Sequence, residues 1–187
     1  TKEDATLRHQ KEVWNSCAAV TVTYTFGEQK ELLDGMVVKD WMTYDEAGNY
    51  VENTKSLQKH IRAYVNALSA KYNTVGRSRT ITSTATGQPV QVEGGSYGFL
   101  IDTEKECNQL LADIQGHVNT VREPIYARAG VAYAENDIGN TYVELDLTAQ
   151  HLWYYKDGAM IMDTDFVSGT YYNKDRRTPG GTYYLYY

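Results

Sequence analysis

Thiolate attack, general-base catalysis and metal ligation would fall to the same few side chains of this sequence: two cysteines, Cys17 and Cys107, and four histidines, His9, His60, His117 and His151. The histidines occur singly, and no pair has the i, i+4 spacing that puts two imidazoles on one helix face. Each reads as a surface or hydrogen-bonded core residue, and no metal or other cofactor is expected. Neither cysteine has a neighbouring histidine or basic cluster that would favour a thiolate, although Cys107 falls in the first turn of an expected helix. Both sit among apolar residues without metal-ligand spacing, so buried free thiols are expected, with a bridge between them as the alternative. Gly94-Gly95-Ser96-Tyr97-Gly98 lacks the lysine and following helix of a phosphate-binding loop and reads as a strand-to-strand turn. Asp34, Asp45, Asp102, Asp113 and Asp137 are scattered at loop and cap positions, where carboxylates serve turns and helix ends. Residue types alone identify no catalytic group.

The elements that would position any site are more legible. Residues 1–15 read as a weak helix or tail anchored by Leu7, Val13 and Trp14. From Val20 to Phe26, Val20, Val22, Tyr24 and Phe26 alternate with Thr21, Thr23 and Thr25, which predicts a half-buried strand; Gly27 allows a turn into a partner strand around Glu31 to Leu33. A looser region follows, with Gly35, Trp41 and a turn at Gly48-Asn49. Leu57, Ile61, Tyr64, Val65, Leu68 and Tyr72 recur at helical spacing behind a cap at Asn53 or Thr54. Short β-like runs come next over 78–83, 90–92 and 97–101. Thr103 and Glu106 have the T-x-x-E spacing of a capping box, opening a second helix that turns Cys107, Leu110, Leu111 and Ile114 inward and ends at Gly116. Residues 127–139 look like a connector. Beyond it the pattern is pure β: Val143, Leu145 and Leu147 alternate with Tyr142, Glu144 and Asp146, Asp157-Gly158 is a strong hairpin signal, and a last strand starts at Tyr183. The expected fold is an α+β domain over residues 16–126, followed from residue 140 by the first strands of an incomplete all-β domain. Forty-eight residues, 140–187, are short of the roughly 100–150 of a common domain. That predicts a sheet with an unpaired edge and an uncovered face, in a piece of a longer protein.

Composition narrows the partners. Eighteen Lys and Arg against 24 Asp and Glu leave a net charge of -6, the wrong sign for a nucleic-acid surface. No run approaches the roughly 18–20 apolar residues that cross a bilayer, so membrane attachment would need an anchor outside this chain. Seventeen tyrosines against three each of Phe and Trp suit half-buried strands; ring platforms for sugar or peptide are the other reading. Trp41, Tyr44 and Tyr97 are the rings most available for such stacking, and local packing of the same rings is the alternative.

A resemblance enters with the last 48 residues. Tyr142-Val143-Glu144-Leu145-Asp146-Leu147-Thr148-Ala149-Gln150-His151-Leu152-Trp153-Tyr154-Tyr155-Lys156-Asp157-Gly158, then Val167-Ser168-Gly169 and Thr178-Pro179-Gly180-Gly181-Thr182-Tyr183, resembles the opening of the L,D-transpeptidase catalytic domain. The preceding region is similar to the peptidoglycan-binding domain often placed before it, on Tyr64-Val65, Leu68, Lys71-Tyr72-Asn73-Thr74, Gly76, Arg79, Gly94-Gly95, Tyr97-Gly98-Phe99, Ile101-Asp102, Glu106 and Arg122-Glu123-Pro124. The resemblance implies a bacterial, extracytoplasmic cell-wall enzyme acting on peptidoglycan stem peptides or glycan. In that family a cysteine thiolate attacks the carbonyl of the third stem residue, expels D-alanine and passes the acyl group to an amine of a second stem. The family's S-H-G-C-x-R/N motif is absent from these 187 residues, and Cys17 and Cys107 both precede the catalytic-domain stretch, so neither carries over as nucleophile. Thr178, Pro179, Gly181 and Tyr183 are then expected as scaffold at the approach to a missing centre. The alternatives are a non-catalytic wall-binding module and an unrelated extracellular adhesion or sugar-binding protein that shares the pattern.

Overall fold

In the computed structural model the described residues are Arg8, Lys11, Glu12, Asn15, residues 19–51 and residues 53–185; Leu7, His9, Val13, Trp14 and Cys17 lie outside them. Along the chain run β1 (Thr21–Phe26), β2 (Gln29–Asp34), α1 (Gly35–Asp40), β3 (Thr43–Tyr44), β4 (Tyr50–Val51), α2 (Thr54–Tyr72), β5 (Arg79–Thr82), β6 (Pro89–Val92), β7 (Leu100–Ile101), α3 (Thr103–Gln115), β8 (Asn119–Arg122), β9 (Tyr126–Arg128), β10 (Tyr142–Asp146), β11 (His151–Lys156) and β12 (Ala159–Asp165). Mixed helices and several small sheets agree with the α+β expectation. Contacts divide the chain into two units that are not contiguous in sequence, Thr1–Asn73 with Leu100–Arg128 and Thr74–Phe99 with Ala129–Tyr187. Residues 74–99, which the sequence groups with 16–126, fall in the second of these units.

In the first unit β1 is central, antiparallel to β2 and parallel to β8. The alternation read from sequence is realised residue by residue: Val20, Val22, Tyr24 and Phe26 are buried, with the threonines between them less so. Against this face stand Leu57, Ile61, Val65, Leu68 and Tyr72 of α2, and α3 adds Leu110 and Ile114. Phe26 stacks on Tyr72 and Tyr24 meets Tyr64. Each fully buried side chain of this kind is worth about 1.5–3 kcal/mol of transfer free energy. Asn53 caps α2 by accepting from the Ser56 amide at 3.0 Å. The capping box of α3 is corrected: the N-cap is Asp102, whose carboxylate accepts from the Lys105 amide at 3.1 Å, and Thr103 is the first helical residue. Cys107 therefore lies past the first turn, and Glu106 faces the core instead of the helix end. The looser region after Gly35 contains α1, started by the Asp34 carboxylate on the Met36 and Val37 amides.

The second unit joins the β5–β6 hairpin to the antiparallel sheet β10–β11–β12. The turn between β11 and β12 has positive φ at Asp157 (52°) and Gly158 (82°), as the Asp-Gly pair predicts. Glu144, facing β5–β6, accepts from the Thr84 amide and hydroxyl at 2.9 and 2.5 Å, and Trp153 is buried. The opposite face carries Val143, Leu145 and Met162, each 41–50% exposed, so the apolar side of the alternation is the solvent side. All of β12 is exposed. The last strand expected from Tyr183 is absent among the described residues: Thr182 makes one isolated parallel bridge to Gly95, and the chain then runs irregularly.

Candidate functional site

The Thr178–Tyr183 stretch is held by a crossing that only glycine permits. Gly95 (φ 92°) passes so close to Thr182 that a Cβ would lie 2.0 Å from its carbonyl oxygen, and one on Gly181 (φ 139°) would lie 2.8 Å from the Gly95 nitrogen. Across this contact the Thr182 amide donates to Gly94 O at 3.2 Å and the Tyr97 amide to Thr182 O at 2.9 Å. Thr178 Oγ1 accepts from the Gly169 amide at 2.8 Å, and the Tyr183 hydroxyl donates to Gly180 O at 3.1 Å. Pro179 and Tyr183 remain exposed. The structure thus brings Tyr97, Thr178, Gly181 and Tyr183 into one neighbourhood, as backbone-locked scaffold with no acid, base or nucleophile among them.

Beneath this crossing lies a charge cluster that residue types did not reveal. Asp137, assigned from sequence to a loop role in the connector, is 1% exposed and takes a bidentate pair from Arg79, Nε and Nη2 each at 2.8 Å. The remaining Arg79 donors reach the carbonyls of Thr74, Arg77 and Tyr97 at 3.1–3.2 Å. Tyr97 is buried, its hydroxyl donating to Asp137 O at 2.6 Å and accepting from the Val131 amide at 3.0 Å. Its ring is a core member rather than an exposed platform, and burial raises its pKa. Tyr184, unmarked by any motif, packs on that ring at 4.8 Å and bonds the Gly98 and Ala129 carbonyls.

Trp41 and Tyr44 belong to the first unit. Trp41 is half-buried, stacked on His60 at 6.2 Å and tilted against Tyr64, whereas Tyr44 is 38% exposed on the β3–β4 hairpin. Asp113, expected at a helix end, is buried and paired with Arg122 at 2.9 Å. The Cys107 thiol is buried and its pKa raised by that burial, against the smaller opposing pull of Arg62, so it is protonated at neutral pH. No group of three or more His, Cys, Asp or Glu suited to a metal ion occurs among the described residues. None of the described helices is long and apolar enough to cross a membrane.

Among the described histidines, His151 stands between two carboxylates. Nε2 meets Asp163 at 2.5 Å and Nδ1 meets Asp165 at 2.8 Å. Two carboxylates accept from both ring nitrogens only if both carry protons, so the geometry is that of the imidazolium. Its pKa is raised, chiefly by the Asp163 bond and then by Asp165. A raised base stabilises the folded state below the ordinary value near 6.5 and loses that contribution as pH rises through the raised value. The expected result is a His151 ring resonance whose titration midpoint, followed by nuclear magnetic resonance, moves down in Asp163→Asn; a midpoint unchanged by that substitution would refute the clamp.

No family model and no curated protein sequence matches the chain. Among solved structures it is similar to Ldtfm in a carbamoyl enzyme with avibactam, at 32% identity over 94% of this chain and 65% of that one, with a TM-score of 0.60. It is likewise similar to a cysteine-to-serine mutant of an Enterococcus faecium L,D-transpeptidase, at 32% identity over 92% of this chain and 66% of that one, with a TM-score of 0.59. The chain therefore spans just under two thirds of the length of these structures and has an L,D-transpeptidase-like fold.

Proposed function

We propose that this chain is part of a bacterial cell-wall L,D-transpeptidase that forms peptidoglycan cross-links through a cysteine acyl-enzyme, working outside the cytoplasm at the wall or on the outer face of the membrane. The observation that carries the reading is the 32% identity sustained over nearly the whole chain to an Enterococcus faecium L,D-transpeptidase. In this reading residues 16–126 are the peptidoglycan-binding part, 127–139 the connector and 140–187 the opening of the catalytic domain. The catalytic cysteine segment is not in this chain. Thr178, Pro179, Gly181 and Tyr183 then shape the approach to the reacting centre, their backbone held by the Gly95 crossing, and peptidoglycan stem peptides or glycan are the partners.

Acyl transfer needs an accessible thiolate, an activating base and oxyanion donors. Cys107 is buried and protonated. The chain alone is therefore expected to release no D-alanine from a tetrapeptide stem and to form no adduct with a carbapenem or with avibactam. Intact-mass spectrometry after incubation tests this: an adduct on Cys17 or Cys107 would sink the reading, while one gained only by a longer protein carrying Ser-His-Gly-Cys supports it. The inert thiol also favours a second reading, a non-catalytic wall-binding module, which predicts retention on insoluble wall material with no adduct in any form of the protein.

A further inference from the structure

The outer sides of α2 and α3 bound a groove of about 470 Å³ in the first unit. Lys55, Lys59 and Arg62 line one wall, at i, i+4 and i+7, on one face of α2 and over about 10 Å of its axis. All three are exposed, and none has an ion pair or hydrogen bond with another described residue. Among the described residues no acidic side chain lines the groove, in a chain whose net charge is -6. Lys55 also stands in the first turn of α2, where the helix dipole disfavours a cation, and no acidic residue of that turn offsets it. α3 shows the usual arrangement, with Glu104 and Glu106 in its first turn.

We infer that this groove binds an extended, carboxylate-bearing peptide, and, on the cell-wall reading above, that the peptide is the acidic stem of peptidoglycan. The three cations match carboxylates spaced along a short chain, and a cleft of one sign concentrates the opposite charge. Gln58 on one wall and Asn108 on the other each donate and accept, which suits peptide amides. Ile61 and Leu111 give a partly apolar floor for small side chains. Among the described residues no aromatic ring lines the groove, so its described walls offer peptide contacts rather than the stacking surface usual for sugar.

The test is a nuclear magnetic resonance titration of the full chain with a soluble tetrapeptide stem bearing free carboxylates. Shifts should centre on Lys55, Lys59, Arg62 and Asn108. Affinity should fall at least tenfold in the triple variant Lys55→Gln, Lys59→Gln, Arg62→Gln, whose fold is checked by circular dichroism, and also for the fully amidated stem. It should fall again between 0.15 and 1 M salt, as the screening length drops from about 8 to about 3 Å. Equal binding by the triple variant or by the amidated stem would overturn the inference, as would inorganic phosphate producing the same shifts at the same concentration. Retention of the wild type and the triple variant to the same extent on insoluble peptidoglycan overturns the groove assignment alone. Loss of wild-type binding to both stem and wall removes the wall-binding reading with it.

Discussion

Asp137→Ala is expected to cost about 3–5 kcal/mol, the penalty for removing one partner of a buried ion pair. The Arg79 side chain is 2% exposed and the Asp137 side chain 1%. Deleting the carboxylate strands a guanidinium with only the carbonyls of Thr74, Arg77 and Tyr97 to receive it. At about 2 kcal/mol per molar urea the unfolding midpoint should drop by roughly 1.5–2.5 M, followed through the fluorescence of buried Trp153. Amide exchange should accelerate within residues 74–99 and 129–185. Replacing both buried partners, Arg79→Met with Asp137→Leu, should recover part of the loss, because two apolar groups remove the buried charge and only the part-exposed Arg77, 3.2 Å from the Asp137 carboxylate, is left without it. Recovery stays incomplete, since the Arg77 and Tyr97 carbonyls lose their Arg79 donor. A single variant within 0.5 M of the wild-type midpoint would show that the pair holds nothing together.

Local period and turn chemistry made much of the framework legible. β1 alternates strictly because one face is core, the α2 stripe recurs at helical spacing for the same reason, and Asp157-Gly158 names its own turn. What stayed hidden depends on partners distant in sequence. Nothing near Asp137 points to Arg79, 58 residues earlier, and nothing in an irregular stretch distinguishes a buried carboxylate from a loop one. Tyr184 is one more tyrosine until it meets the Gly98 and Ala129 carbonyls. α1 has six residues, too few to show a period, and its sole local mark is the Asp34 cap. Glu106 misled for a related reason. T-x-x-E spacing is shared by a capping box and by an inward glutamate one turn into a helix, and partners distant in sequence, Arg122 from β8 and Tyr24 from β1, separate the two. Of the candidate site, the Thr178–Tyr183 segment was legible through its motif, and the glycine crossing that fixes it was not, because it is a contact between stretches more than 80 residues apart.

Glu106 therefore makes the sharper experiment in the first unit, because both its neutral replacements should fail. Its side chain is fully buried, and its two oxygens are each shared by two donors. Oε1 accepts from the Tyr24 hydroxyl at 2.6 Å and from Arg122 Nη2 at 2.7 Å; Oε2 accepts from Arg122 Nη1 at 3.0 Å and from the Ile125 amide at 2.7 Å. Tyr24 and Arg122 are register partners on β1 and β8, so one carboxylate ties α3 to two strands at once. Burial opposes the Arg122 charge, but the bonds to Glu106 and Asp113 outweigh it and raise its pKa, while burial and then the Glu106 charge raise that of Tyr24. Glu106→Ala leaves Asp113 as the sole carboxylate on Arg122 and removes the acceptor of the Tyr24 hydroxyl and the Ile125 amide, an expected loss of about 3–5 kcal/mol. Glu106→Gln keeps the volume, yet one orientation of the amide turns its NH2 toward the Arg122 and Ile125 donors and the other toward Arg122 Nη2, so it should be destabilised rather than rescued. Thermal unfolding of the two variants, with amide exchange at β1 and β8, provides the measurement. A glutamine variant as stable as wild type would mean that the charge of Glu106 is not what joins the helix to the strands.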